Sequence, residues 1–226
     1  MIYVMSDIHG CYDKYEKMLE LIDFKDGDML YVLGDVIDRG AKGVAAFRDM
    51  MERPNVCVFL GNHEKTALPI LKAIYKLGGS FEGIWETKAF SLWMANGGEP
   101  TLKEFCKLER EEQKWMIKYM ELLYTYDEIE VCGRKFHLSH TLPEYDPERG
   151  IHDVSLTEFV WGEPDYDICY DPDVTFITGH TPTGLIDPEY HGKIWRGNGH
   201  IAIDCGAVHG GRLGCICLDT MEEFYV

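Results

Sequence analysis

The sequence predicts an α/β fold in which a parallel sheet carries helices on its faces. Three strand–helix units follow one another near the start of the chain, and short apolar runs separated by turn residues dominate the second half. Successive strand–helix units build a parallel sheet, because each crossover returns the chain to the same end of the sheet. The length of 226 residues suits a single domain, and we expect one domain over residues 1–226.

The three units are marked by short apolar strands, each followed by a helical pattern. Strands are predicted over residues 2–5, 29–33 and 56–60. A helix is predicted after each strand, over about residues 13–22, over about residues 43–51, and toward Leu77.

After the three units the sequence predicts a helical segment and then a part of the chain rich in strands. Residues 78–121 predict a helical insertion, with Thr101 as a helix N-cap. A hairpin is predicted to turn at Cys132 and Gly133, and a long surface loop is predicted over residues 143–173. Further strands are predicted over residues 175–178, 200–204, 213–218 and 223–226.

Composition excludes several classes of function. The formal net charge of −17 would repel nucleic acid and anionic lipid, so neither is an expected partner. No apolar run approaches the ~20 residues that span a bilayer, and the first residues do not resemble a signal peptide, so we expect a cytoplasmic protein. The eight cysteines include no Cys-x-x-Cys pair, which leaves zinc-ribbon and thioredoxin chemistry without local support.

The loops after the three strands carry the residues that predict chemistry. They read SDIHG with Asp7 and His9, GDVIDRG with Asp35, and GNHE with Asn62. Each motif alone is more often a turn or a helix cap. The carboxyl ends of parallel strands line one crevice, so the three loops are expected to converge on a single site.

Two histidines follow predicted strands in the second half, His140 in LSHT and His180 in TGHT. Either one alone is more often a structural histidine. Added to the aspartates, His9 and Asn62, they complete a nitrogen and oxygen ligand set for two first-row divalent ions.

These motifs resemble those of a known family. In order, DIHG, GDVIDRG, GNHE, SH and TGH resemble the signature of the calcineurin-like metallophosphoesterases. GDxxDRG with GNHE is similar to the PPP-type serine/threonine phosphatases, in particular their bacterial and phage branch. The resemblance implies an α/β (α+β) four-layer fold, in which two mixed sheets pack as a sandwich flanked by helices.

The resemblance also implies a binuclear metal centre. Asp7 and His9 would hold the first ion, Asp35 would bridge, and the second ion would be held by Asn62, His140 and His180. Two ions ~3.5–4 Å apart can share a water and direct the resulting hydroxide at phosphorus. Manganese is expected, with iron and zinc as alternatives.

Three further residues take catalytic roles by the same resemblance. His63 would protonate the leaving group, and Asp38 would hydrogen-bond His63 and favour its protonated form. Arg39 would grip two phosphate oxygens, although a salt bridge that closes the turn is its simpler role.

The sequence differs from the family pattern at positions where family members have arginines that bind the phosphate. Leu60 precedes GNHE where family members often have arginine, and Trp161 is followed by Gly162 rather than leading to an arginine. Arg149 or Arg196 could substitute.

Residues outside these motifs are expected to have structural roles first. Trp93, in WMANGG, is expected to be core of the insertion rather than a substrate contact. His152 is expected to be a surface or structural residue, and His209 is the best additional candidate for the site. Cys11 lies next to the metal loop, but nothing in the sequence argues for a low pKa of its thiol.

The resemblance and the residues together predict a two-metal phosphomonoesterase, most specifically a serine/threonine protein phosphatase acting on a phosphoprotein or phosphopeptide. The alternative is a symmetrical dinucleoside polyphosphate hydrolase acting on a small phosphorylated substrate. Asp38, Arg39 and Glu64 favour the phosphatase, and Leu60 favours the hydrolase. A non-catalytic phosphate-binding protein is a third possibility, which Asp38 and His63 disfavour because metal binding alone needs neither.

Overall fold

The computed structural model describes residues 1–146, 148 and 154–226, which form two five-stranded sheets packed against each other and flanked by helices. In chain order the strands are β1 (Ile2–Met5), β2 (Met29–Val32), β3 (Val56–Val58), β4 (Tyr126–Val131), β5 (Arg134–Ser139), β6 (Val174–Thr178), β7 (Trp195–Gly197), β8 (His200–Ala202), β9 (Gly214–Cys217) and β10 (Glu223–Tyr225). The helices are α1 (Tyr12–Leu21), α2 (Gly43–Glu52), α3 (Asn62–Lys76), α4 (Lys88–Ala95), α5 (Glu99–Phe105), α6 (Arg110–Met120), α7 (Glu158–Trp161) and α8 (Thr183–Ile186).

The first sheet has the strand order β10-β9-β1-β2-β3. The pairs β1–β2 and β2–β3 are parallel, as the three strand–helix units predict, whereas β9 and β10 add antiparallel neighbours and make the sheet mixed. The first strand is therefore central, and its carboxyl end lies beside that of β2.

The second sheet has the order β4-β5-β6-β8-β7. Strands β5, β6 and β8 are parallel, and β4 and β7 are antiparallel edges. The predicted hairpin is confirmed, because Cys132 (φ 51°) and Gly133 (φ 75°) occupy the left-handed region that a two-residue hairpin turn requires.

Two apolar cores hold these layers together. Between the sheets, Val4, Leu33 and Ile216 of the first sheet and its loops pack in one cluster with Leu138 and Ile177 of the second. On the other face of the first sheet, buried residues of β1 and β2 pack with α1, α2, α3 and the helical insertion. Apolar burial on both faces explains why β1 reads as a continuous hydrophobic run.

Three local predictions differ from the structure. Thr101 is not an N-cap, because it lies inside α5, where its buried hydroxyl accepts a hydrogen bond from the Asp38 backbone. The segment over residues 143–173 is not only a surface loop, since α7 buries Phe159 and Val160. The short edge strand β7 was not predicted, because its three residues do not form an apolar run.

No helix among residues 1–146, 148 and 154–226 is long and apolar enough to cross a membrane. Arg149 and His152, for which the sequence suggested roles, lie outside the described residues.

Shortening a buried side chain between the sheets should lower stability without touching the site. Ile216 is fully buried on β9, and Ile216→Ala should reduce the free energy of unfolding by about 2–5 kcal/mol through lost burial and a residual cavity. Urea denaturation measures the change. Leu92→Ala, at a side chain that is 57 % exposed, is the control and should change it by less than about 0.5 kcal/mol. Equal effects of the two substitutions would contradict this packing.

Candidate active site

The strand ends of both sheets bring the predicted ligands to one place. Asp7, Asp35 and Asn62 follow strands of the first sheet, whereas His140 and His180 follow β5 and β6 of the second. The site therefore lies at the edge where the carboxyl ends of the parallel strands of both sheets meet, as Asp7 Oδ2 shows by accepting a hydrogen bond from the His180 backbone N–H at 2.9 Å.

Asp35 lies at the centre of this cluster. Its Oδ2 is 3.6 Å from His9 Nε2 and 3.5 Å from His140 Nε2, while its Oδ1 accepts the backbone N–H of His63 at 3.0 Å. Asp7 Oδ1 lies 3.9 Å from His9 Nε2. One carboxylate oxygen thus faces histidines from both sheets, which is the position that a bridging ligand needs.

Backbone hydrogen bonds hold the rings of His9 and His140. His9 Nδ1 donates to the carbonyl of Ile37 at 3.0 Å, and His140 Nδ1 donates to the carbonyl of Leu33 at 2.7 Å. These hydrogen bonds fix the tautomer and leave Nε2 unprotonated, as is usual for metal-binding histidines.

The second group of donors is compact. Asn62 Oδ1 lies 2.9 Å from His140 Nε2 and 3.1 Å from His180 Nδ1. Donor atoms of Asp35, His140 and His180 lie within 4.8 Å of one another, and so do those of His9, Asp35 and His63. Nitrogen and oxygen donors without thiolate suit first-row divalent ions, so the residues present fit a metal centre.

Burial gives the cluster the electrostatics of a cation site. Burial raises the pKa of Asp7 and of Asp35 to about 6, against an ordinary value near 4. Burial also lowers the pKa of His9 and His140, and it lowers the pKa of His180 to about 3. The imidazoles are therefore neutral near pH 7, and bound cations would favour the ionised form of the two carboxyl groups.

His63 and Asp38 form a buried pair beside the cluster. His63 Nδ1 donates to Asp38 Oδ2 at 2.7 Å, and Trp93 Nε1 donates to the same oxygen at 2.9 Å. Burial acts to lower the pKa of His63, but the hydrogen bond to Asp38 and the charge of Asp35 outweigh it, so the pKa is raised. Asn96 Nδ2 lies 3.3 Å from His63 Nε2, on the side away from Asp38.

Arg39 extends over the other end of the cluster. Its Nη1 donates to His9 Nε2 at 2.8 Å and lies 3.3 Å from Nε2 of the exposed His209. Its backbone N–H donates to the carbonyl of Gly97 at 2.8 Å. His209, the additional candidate from the sequence, therefore lies next to the site.

A buried carboxylate ties two of the active-site loops together. Glu64 accepts hydrogen bonds from the backbone N–H groups of Asp35, Val36 and Ile37 at 2.8–3.1 Å, and from Gly61 at 3.1 Å. Burial and the nearby Asp35 charge raise its pKa to about 7. The position of Asp35 relative to Asn62 is set by this side chain.

Several functional contacts were missed in the sequence. Trp93 is core, as predicted, but its indole N–H also positions Asp38, and Asn96 and Thr101 of the insertion contact the same region. The motif WMANGG was the available signal, because a tryptophan with a hydrogen-bonding ring nitrogen is seldom buried without a partner.

The structure also bears on the predictions for Cys11 and Arg196. Burial raises the pKa of the Cys11 thiol, which disfavours a reactive thiolate there. Arg196 lies on β7, where its guanidinium pairs with Glu223 and donates to the Met221 carbonyl. Arg196 therefore makes its contacts at the edge of the second sheet and not with the residues proposed to bind the phosphate.

Known proteins share this arrangement over different lengths of the chain. A symmetrical bis(5'-nucleosyl)-tetraphosphatase of Wigglesworthia glossinidia brevipalpis is 38% identical over 77 residues, which are 33% of this chain and 28% of that protein. Serine/threonine-protein phosphatase 2 of Salmonella typhimurium is 30% identical over 140 residues, which are 62% of this chain and 57% of that protein. The matches thus span less than two thirds of these relatives.

Solved structures show the same fold over nearly the whole chain. A crystal structure described as a diadenosine tetraphosphatase has a TM-score of 0.64 and 18% identity, and covers 100% of this chain and 92% of its own. A protein serine/threonine phosphatase from Saccharomyces cerevisiae has a TM-score of 0.62 and 12% identity, and covers 95% of this chain and 71% of its own.

The model of the calcineurin-like phosphoesterase family matches residues 1–184, a stretch that contains the strand-end loops with their aspartates, His9, Asn62 and the two later histidines. With the two-sheet fold and the donor cluster, this match shows that the chain belongs to the calcineurin-like phosphoesterases, a family of metal-dependent hydrolases with a binuclear divalent centre.

Proposed function

We propose that this chain is a serine/threonine protein phosphatase whose single domain spans residues 1–226. The proposed metal ligands are Asp7, His9, Asp35, Asn62, His140 and His180, with manganese as the ion. His63 is the proposed general acid, Asp38 positions it, and Arg39 binds the phosphate. All eight cysteines are free in the structure, which is in keeping with a cytoplasmic protein.

The buried pair of Asp38 and His63 is the observation that carries this proposal. The two side chains are 0 % and 1 % exposed, and the 2.7 Å contact raises the pKa of His63. A serine or threonine alkoxide is a poor leaving group that needs a proton, and an imidazole whose pKa is raised is better able to carry and donate that proton. A centre that only bound metal would need neither residue.

The roles of the chain's residues follow from their positions. When bound, two divalent ions would polarise the phosphoryl group and activate a water for attack. The Arg39 guanidinium can donate hydrogen bonds to two phosphoryl oxygens, since its planar fork matches their spacing. His63 Nε2 lies 4.0 Å from Asp35 Oδ2, and this short distance supports the proposed transfer of its proton to the leaving oxygen.

A dinucleoside polyphosphate hydrolase is the second candidate, supported by the 38% and 39% identity of this chain with two symmetrical tetraphosphatases over 77 and 71 residues. The leaving group of that reaction is a nucleoside diphosphate, whose terminal phosphate oxygen is far less basic than an alkoxide and has little need of a proton. A buried general acid with its own positioning residues therefore favours the phosphomonoester substrate. Assaying the metal-loaded protein on phosphopeptides and on diadenosine tetraphosphate side by side tests this choice, and cleavage of the dinucleotide alone would refute the protein phosphatase.

Asp35→Asn should weaken both metal sites together. Asp35 Oδ2 lies at nearly equal distances from His9 and His140, so we expect this carboxylate to contact both ions. The substitution replaces its negative charge with a neutral amide and should therefore weaken the binding of each ion. We expect the metal content after dialysis to fall from about two equivalents to below one, measured by elemental analysis. Loss of a single equivalent would show that Asp35 does not bridge.

His63→Asn should retain both ions and lose turnover on poor leaving groups. A general acid contributes roughly 10²–10⁴-fold, so kcat on a phosphoserine peptide should fall by about that factor. On p-nitrophenyl phosphate, whose leaving group needs little protonation, the loss should be much smaller. Elemental analysis is the companion measurement, because His63 lies close enough to His9 and Asp35 to be a ligand instead. Loss of metal, or equal losses on both substrates, would argue against the acid.

Trp93→Phe should act through Asp38. The substitution keeps an aromatic ring but removes the N–H that donates to Asp38 Oδ2. We expect kcat on a phosphoserine peptide to fall by about five- to tenfold at unchanged KM, with a smaller change on p-nitrophenyl phosphate. The matched control is Trp85→Phe, at a 59 % exposed side chain of the same insertion, which should change neither. A purely structural role of Trp93 would lower both activities equally.

A further inference from the structure

A pocket is lined in part by residues that follow His180, the last proposed metal ligand, in the chain. It is a cavity of about 320 Å³ between α8 and the loop that follows β8. Its walls include Pro182, Leu185, His191, Gly192, Cys205 and His209. The volume is at the lower end of the range for ligand sites, which suits one side chain or one small ring.

The pocket borders the candidate active site through His209. His209, on its wall, lies 3.3 Å from the Arg39 guanidinium that is proposed to bind the phosphate. Pro182, on the opposite wall, is two residues after His180. A group attached to a phosphate at Arg39 therefore has this pocket as its immediate neighbour.

Both walls are held in place by hydrogen bonds. The Thr183 backbone N–H donates to the carbonyl of Asp204 at 2.9 Å, and the Thr183 hydroxyl donates to that of Tyr190 at 2.9 Å. Lys14 Nζ donates to the carbonyls of Ala207 and Gly211 at 2.9 and 2.7 Å, which fixes the loop that presents His209. A preformed pocket costs little ordering on binding.

The lining favours an apolar occupant. Leu185 is 78 % exposed at the pocket, although an apolar side chain of this size gains free energy from burial. The Thr183 hydroxyl is already used within the protein. A nucleobase would bring several donors and acceptors, and the imidazoles of His191 and His209 could pair with only some of them. The net charge of −17 also repels a tetraphosphate more strongly than a phosphopeptide.

We propose that this pocket binds the apolar side chain of a residue adjacent to the phosphorylated serine or threonine of a protein substrate. The inference rests on the proposed phosphatase function and makes it more specific, because the enzyme would select phosphorylation sites with a leucine-like neighbour.

The test compares two phosphoserine peptides that differ only in the residues flanking phosphoserine, leucine in one and serine in the other. With the manganese-loaded protein, kcat/KM should be about tenfold higher for the leucine peptide. Leu185→Asp, which places a charge at the pocket, should bring that ratio close to one. The matched control is Leu122→Asp, at a side chain that is 77 % exposed on another surface, and it should keep the tenfold ratio.

Three results would overturn the proposal. The first is equal kcat/KM of the original chain on the two peptides, and the second is a preference that Leu185→Asp leaves intact. The third is a Leu185→Asp defect confined to diadenosine tetraphosphate, which would assign the pocket to a nucleobase.

Failure of the phosphatase function itself would be recognised separately. Absence of turnover on p-nitrophenyl phosphate and on both peptides would refute the proposed reaction. The pocket is then judged by binding: the Kd of the fluorescently labelled peptides, measured by anisotropy, should still favour leucine by about tenfold, and Leu185→Asp should remove that preference. Equal Kd values would overturn the pocket as well.

Discussion

The four hydrogen bonds to the Glu64 carboxylate hold the candidate active site together. Asp35 lies in the loop that follows β2, whereas Asn62 is the first residue of α3, after the short loop that leaves β3. Glu64 collects three N–H groups from the first loop and one from the second. The Cβ of any residue larger than glycine at Gly61 would collide with both Asp35 and Glu64, so the close approach of the loops also depends on that glycine. Burial makes these hydrogen bonds necessary, because an unpaired carboxylate there would be costly.

The backbone of these loops is strained, and the strain is concentrated at the side chains that carry the chemistry. Six site residues other than glycine have positive φ, between 45° and 70°: Asp7, His9, Asp35, Asp38, Arg39 and His180. Such conformations cost of order 1–3 kcal/mol each and persist only where the surroundings enforce them. The sheets supply that enforcement, since each loop leaves a strand with both ends fixed in hydrogen-bonded pairs. Because of these left-handed conformations, short loops can direct several polar side chains into the site.

The sequence was sufficient to predict the features that depend on periodicity and local order. The three strand–helix units, the hairpin at Cys132 and Gly133, and the convergence of Asp7, Asp35 and Asn62 all follow from strands whose ends must meet. Contacts that depend on tertiary packing were not predictable. Thr101 resembles an N-cap by residue type, but its hydroxyl serves the Asp38 backbone from inside a helix, and this pairing joins segments 63 residues apart. No local pattern encodes such a contact.

The proposed metal ligands and the groups around His63 come from different segments of the chain. This difference is relevant to the class of substrate. The proposed ligands follow strands of both sheets. The groups that hold Asp38 and border His63 come from the helical insertion, through Trp93, Asn96 and Thr101. Metal binding does not require an insertion that buries a tryptophan on Asp38. If His63 is the general acid that we propose, proton delivery to an alkoxide requires that it be held in place, and the insertion would then favour a phosphomonoester over a phosphoanhydride substrate.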